Sequence, residues 1–136
     1  MNQFPGTNWI LVMDTDDIAR LKMRSMLEQV GYKVCLAENG EEVVDCYKEA
    51  QRCGYPFDAV IVDLNVPVGR SDNETIKKLI ECDPGVKVIA TSGAVADVVS
   101  ADVKNQGFKG VLKKPFTSGT LEQTVQSVIN RESRIQ

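Results

Sequence analysis

Acidic, hydroxyl and ammonium side chains stand at the ends of short apolar runs in this chain. Trp9-Ile10-Leu11-Val12-Met13 ends on Asp14-Thr15-Asp16-Asp17, and Phe57-Asp58-Ala59-Val60-Ile61-Val62 ends on Asp63 before turning through Asn65 and Pro67. Val86 to Ala90 ends in Thr91-Ser92-Gly93, and Phe108 to Leu112 closes with Lys113-Lys114-Pro115-Phe116. Carboxylates that face one another repel, so either one keeps a proton or a cation sits between them. A magnesium ion held by carboxylate oxygens and a backbone carbonyl, with a lysine and a hydroxyl beside it, makes a cradle for a phosphoryl group. In that chemistry Asp63 is the nucleophile and the product is an acyl phosphate.

Composition narrows the choices. The chain contains no histidine, which excludes histidine-based catalysis and histidine metal ligands. A metal would be held by oxygen, pointing to magnesium, calcium or manganese. The net charge of -3 weighs against nucleic-acid or anionic-membrane binding, which is usually basic. Cys35, Cys46, Cys53 and Cys82 form neither C-x-x-C pairs nor a zinc spacing, and read as reduced thiols of a cytoplasmic protein. No apolar segment reaches membrane-spanning length, and residues 1–8 lack the basic start and apolar centre of a signal peptide.

The elements that must position these groups follow from periodicity. The apolar runs, together with Lys33-Val34-Cys35-Leu36-Ala37, are β-branched-rich and short, as in strands buried on both faces. Between them lie helical stripes: Ala19, Met23, Met26, Leu27 and Val30, stopped by Gly31; Val43, Tyr47 and Ala50; Ile76, Leu79 and Ile80; Leu121, Val125, Val128 and Ile129. Asp16 or Asp17 is placed to cap the first helix, while Asn39 with Glu42 and Ser71 with Glu74 have the spacing of capping boxes. A valine-rich segment over 94–106 is a poor intrinsic helix that packing would hold. Strand and helix thus alternate five times. This pattern predicts one α/β domain over 9–131 with tails at 1–8 and 132–136. Its core is a doubly wound, five-stranded parallel sheet of order 2-1-3-4-5, flavodoxin-like, with helices on both faces. All parallel strands end at one edge, so Asp14, Thr15, Asp16, Asp63, Ser92 and Lys114 converge there. Thr91 rivals Ser92 for the hydroxyl, but strand phase and the spacing to Lys114 favour Ser92.

From about Trp9 to Ile129 the chain resembles a response-regulator receiver (CheY-like) domain of two-component systems. The matching stretches are Ile10-Leu11-Val12-Met13-Asp14, Phe57 to Pro67, Ser92-Gly93 and Lys114-Pro115-Phe116, in order and at the family's spacing. Glu74 to Leu79 and Gly107 to Leu112 are similar to receivers attached to hybrid sensor histidine kinases. The resemblance implies that Asp63 accepts a phosphoryl group from a sensor histidine kinase or phosphotransfer protein, in the cytoplasm, and signals to a downstream protein target. It implies no enzyme, nucleic-acid or membrane role for the domain. Asp14, Asp63 and the Asn65 backbone carbonyl would hold Mg2+ or Mn2+, Ser92 would bond the phosphoryl oxygens, and Lys114, before a cis Pro115, would neutralise them.

Two positions depart from the family pattern. Thr15 stands where a second, metal-ligating acid is usual, so magnesium should bind more weakly unless Asp16 compensates. Val111 stands where an aromatic switch residue is common in the fifth strand. Thr15 also opens an alternative: a degenerate receiver acting as a phosphorylation-independent interaction module. A second alternative is a haloacid-dehalogenase-type phosphatase, in which Asp14-Thr15-Asp16 supplies a D-x-D pair with Asp14 as nucleophile and Asp16 as acid/base. That reading leaves Asp63 without a role.

Overall fold

The computed structural model describes residues 8–63, 70–92 and 107–130, with side chains over 8–63, 74–91 and 107–130. Strand β1 (Trp9–Met13) leads into α1 (Asp17–Gln29), β2 (Lys33–Ala37), α2 (Gly40–Cys53), β3 (Ala59–Asp63) and α3 (Arg70–Cys82). Then come β4 (Val88–Ser92), β5 (Gly110–Lys113) and α4 (Ser118–Asn130). The strands form one parallel sheet in the order β2-β1-β3-β4-β5, as the alternation of elements predicts. The expected helix over 94–106, the turn through Asn65 and Pro67, and, Asn8 apart, the expected tails lie outside the described residues.

Side chains alternate across a strand with a period of two, so each apolar run feeds two cores. Leu11, Met13, Val60, Val62, Val88 and Ala90 meet Val43, Val44 and Tyr47 of α2 and Ile76 and Leu79 of α3 on one face. Ile10, Val12, Ala59, Ile61, Ile89 and Leu112 meet Met23 and Leu27 of α1 and Leu121, Val125 and Val128 of α4 on the other. Every residue of β3 is buried, Asp63 included. The uninterrupted hydrophobicity of these strands is therefore the signature of a sheet covered on both sides.

Local signals account for the element ends. Asp16 is the N-cap of α1, its Oδ2 accepting the Ala19 N–H at 2.9 Å, and Asp17 is already helical. At the other end Val30 is the C-cap, exposed rather than on the buried stripe, because the chain leaves the helix there through Gly31 at φ 100°. Asn39 caps α2 by accepting the Glu42 N–H at 2.9 Å, while Glu42 Oε1 reaches the N–H of Glu38, one residue before the cap. Helix α3 already begins at Arg70, which puts Ser71 inside its first turn rather than at an N-cap.

Strands β4 and β5 both begin two residues later than the apolar runs predict, and end two residues and one residue later respectively. Val86 is buried, but its N–H is taken by Asp83 O within the preceding turn. On the neighbouring strand the Lys109 N–H already bonds Val88 O of β4, and regular pairing begins at Gly110. The paired residues extend through Ser92 and Lys113, and Thr91 lies level with Asp63.

Candidate functional site

The carboxyl ends of β1, β3 and β4 and the residue after β5 converge as expected. Asp14 and Asp63 are 2% and 5% exposed, and Thr91 is wholly buried. The Lys114 ammonium donates to Asp63 Oδ1 at 2.7 Å and lies 3.5 Å from Asp14 Oδ2. One cation thus serves two buried carboxylates. The Lys114-Pro115 peptide is cis, as the resemblance implies.

Each acid is positioned by its own strand and the turn that follows. Asp14 closes β1 and is held from several sides. Its N–H donates to Ala37 O of β2, its Oδ1 accepts the Asp16 N–H at 2.9 Å, and its carbonyl accepts Arg20 Nη1 at 2.7 Å. Oδ2 of Asp14 is buried with no hydrogen-bond donor. Burial pushes the Asp14 carboxyl above its ordinary range, and the Asp63 charge adds to this against the Asp16 N–H and Lys114. Burial also pulls the Lys114 ammonium down, but its bond to Asp63 and the charges of Asp63 and Asp14 outweigh that and hold it above its usual value.

Sequence reasoning missed Arg20. It is 8% exposed, and its fork binds the Asp14 carbonyl and Asp17 Oδ1, with Glu38 Oε2 at 3.8 Å. The signal was available: Arg20 falls on the stripe that continues through Met23 and Leu27. A cation at a buried helix position needs an acceptor, and here it is the backbone that carries Asp14.

Among the described side chains the hydroxyl on Asp63 is that of Thr91, whose Oγ1 donates to Asp63 Oδ1 at 3.1 Å. Ser92 lies beside Lys113 in the backbone register; its side chain, like the Asn65 carbonyl, lies outside the described residues. Asp16 is committed to its helix cap, and Thr15 is exposed at the mouth of the site. Among the described residues no group of three or more acids, cysteines or histidines could hold a metal ion. The two buried carboxylates nevertheless fit a divalent cation. Together with one ammonium they leave a net negative cradle, and the undonated Oδ2 of Asp14 is the oxygen a cation would satisfy.

A buried acid pair bridged by a lysine at the carboxyl edge of a 2-1-3-4-5 sheet defines a receiver-type α/β domain. The family model of the response regulator receiver domain matches residues 10–126, and the chain belongs to that family. It is similar to the chemotaxis protein CheY of Thermotoga maritima, 26% identical over 120 residues that span 88% of this chain and 95% of that protein. It is also similar to the autoinducer 1 sensor kinase/phosphatase LuxN of Vibrio campbellii, 27% identical over 97% of this chain but 14% of that larger protein. In structure it resembles the receiver domain of the sensor histidine kinase PA1611 from Pseudomonas aeruginosa, described with a magnesium ion in its active-site cleft. That likeness has a TM-score of 0.77 at 21% identity, over 91% of this chain and 98% of the other. Family membership sets aside the phosphatase reading, and Asp16, turned onto its helix, is not poised as that reading's acid/base.

Proposed function

We propose that this receiver domain accepts a phosphoryl group on Asp63 from a phosphohistidine of a sensor histidine kinase or phosphotransfer protein. The observation that carries the reading is the triad itself: Asp63 buried at the sheet edge, Lys114 on its Oδ1, and Asp14 beside them with an undonated oxygen. A carboxylate oxygen of Asp63 attacks phosphorus, the P–O bond forms as the P–N bond to the imidazole breaks, and the leaving imidazole keeps the electron pair and takes a proton from water. Lys114 neutralises oxygens of the arriving group, and burial of the acids excludes water from the new acyl phosphate.

Asp14, Asp63 and the Asn65 carbonyl would hold Mg2+ or Mn2+, whose chemistry is to neutralise charge building up on the phosphoryl oxygens. With Thr15 in place of an acid, that cation is held by one carboxylate fewer than is usual for the family. Ser92 is proposed as a further hydroxyl for the phosphoryl group. Output runs through protein contacts with a downstream target in the cytoplasm, as a shift between two states of the domain. Among the described residues no helix is long and apolar enough to cross a membrane.

Intact mass after exposure to a small phosphodonor with magnesium tests the reading. The parent should gain one phosphoryl group, Asp63→Asn none, and Thr15→Asp should gain it at lower magnesium. Uptake only by Thr15→Asp would instead mark the chain as a degenerate interaction module.

A further inference from the structure

Thr91 is the one hydroxyl that the described side chains place on Asp63. It sits opposite that residue in the β3–β4 register, is wholly buried, and follows Val88, Ile89 and Ala90, all buried themselves. Its Oγ1 donates to Asp63 Oδ1 at 3.1 Å, the same oxygen that accepts Lys114 Nζ at 2.7 Å. Two donors from different elements therefore converge on one oxygen of the acceptor.

We infer that Thr91 is a positioning residue that sets the plane of the Asp63 carboxylate for phosphoryl transfer. The inference rests on the proposal that Asp63 is the acceptor. A carboxylate turns easily about its last side-chain bond, with a broad, roughly two-fold preference. Something must hold it if an oxygen is to meet phosphorus in line.

Lys114 cannot do this alone. Its ammonium sits on a flexible four-carbon stem, its side chain is 32% exposed, and it is shared with Asp14, so it can follow the carboxylate round. Thr91 cannot follow. It is β-branched, stiff at its first side-chain torsion, and anchored in a strand hydrogen-bonded on both sides. The fixed donor defines where Oδ1 must lie, and Lys114 reinforces it. The second oxygen then takes one direction. Because Thr91 acts through Asp63 and not on the donor molecule, its loss should reduce the rate of transfer without weakening donor binding.

The test is the rate of phosphoryl uptake by intact mass, at saturating magnesium and varied small phosphodonor, for the parent, Thr91→Val and Thr91→Ser. Thr91→Val keeps the shape and removes the donor. Its maximal rate should fall about tenfold, the cost of one hydrogen bond to a charged group, with the half-saturating donor concentration unchanged. Thr91→Ser keeps the hydroxyl and should stay within about threefold of the parent. Thr91→Ala provides a second variant without the donor should Thr91→Val not fold, and should show the same loss. If the Val and Ala variants run at the parental rate, or the Ser variant is as slow as they are, the inference fails while the acceptor assignment stands. If neither the parent nor Thr91→Ser takes up phosphoryl, the acceptor assignment fails and the role of Thr91 with it.

Discussion

Replacing Asp14 by Asn should stabilise the metal-free domain at neutral pH, although it removes one partner of an ion pair. The Asp14 carboxylate is buried beside the Asp63 charge, with no donor on its Oδ2, and keeping a buried group ionised there costs about 1–3 kcal/mol that a neutral amide does not. Against this, the variant gives up the Lys114 contact at 3.5 Å, whose lysine side chain is one-third exposed and already bonded to Asp63. Such a contact is worth at most about 1 kcal/mol. The Asp16 N–H keeps an acceptor in the Asn oxygen and the amide NH2 takes the place of Oδ2, so the net gain, from removing a buried charge, is about 1 kcal/mol. Over 136 residues, at about 2.1 cal/mol/K per residue, that raises the Tm by about 3–4 °C.

The pH dependence has a definite sign. Burial first, and then the Asp63 charge, hold the folded-state Asp14 carboxyl above its ordinary value of 3.8. The native state therefore prefers the protonated form. The stability this group contributes is complete below the unfolded value and is lost as pH rises through the folded one. The advantage of Asp14→Asn over the parent should be present at pH 7 and disappear below about pH 4. Thermal melts in a chelator across that range measure it, and a second series with magnesium should stabilise the parent more than the variant. A variant less stable than the parent by 1 kcal/mol or more at pH 7 would refute the reasoning, because Asp14 would then be a structural acceptor and not a cation ligand held at a cost.

Other positions give expectations of the same kind. Gly40→Ala would put a Cβ 2.0 Å from Thr75 Oγ1, forcing α2 and α3 apart at a cost of about 1–3 kcal/mol, readable as a lower denaturation midpoint that Thr75→Ala partly restores. Tyr47→Phe removes the 2.7 Å bond to Asp83 and should cost about 1 kcal/mol of stability by thermal melt, with phosphoryl uptake unchanged. Arg20→Lys should not substitute for the parent, since both arms of the fork are engaged, on the Asp14 carbonyl and on Asp17. We expect a loss of about 1–3 kcal/mol by denaturation, together with weaker magnesium binding by calorimetry.

The sheet order and both apolar cores were legible in the sequence because burial on two faces leaves continuous apolar runs that a one-sided strand would not have. The convergence of Asp14, Asp63 and Lys114 followed from topology alone, since parallel strands share an edge. What periodicity could not supply was register. A shift of one residue between strands exchanges which side chain faces a neighbour, and the ladder between β3 and β4 is set by backbone bonds such as Val60 N–H to Lys87 O at 2.8 Å, which leave no trace in side-chain pattern. The sequence favoured Ser92 as the hydroxyl of the site, and its side chain lies outside the described residues; what register adds is Thr91 opposite Asp63.

Arg20 announced its burial by its place on the stripe of Met23 and Leu27, but not its role. The partner that ties it to the site is the Asp14 carbonyl, a group every residue carries, so no residue type announces that contact. Thr15 is the converse case, plain in the sequence because it breaks a pattern of residue types. On the proposed reading a cation at this site would lean on Asp14 and Asp63, the two acids buried among the described residues. Restoring an acid at Thr15 should therefore tighten metal binding, because it adds a third carboxylate to the two that the fold already holds.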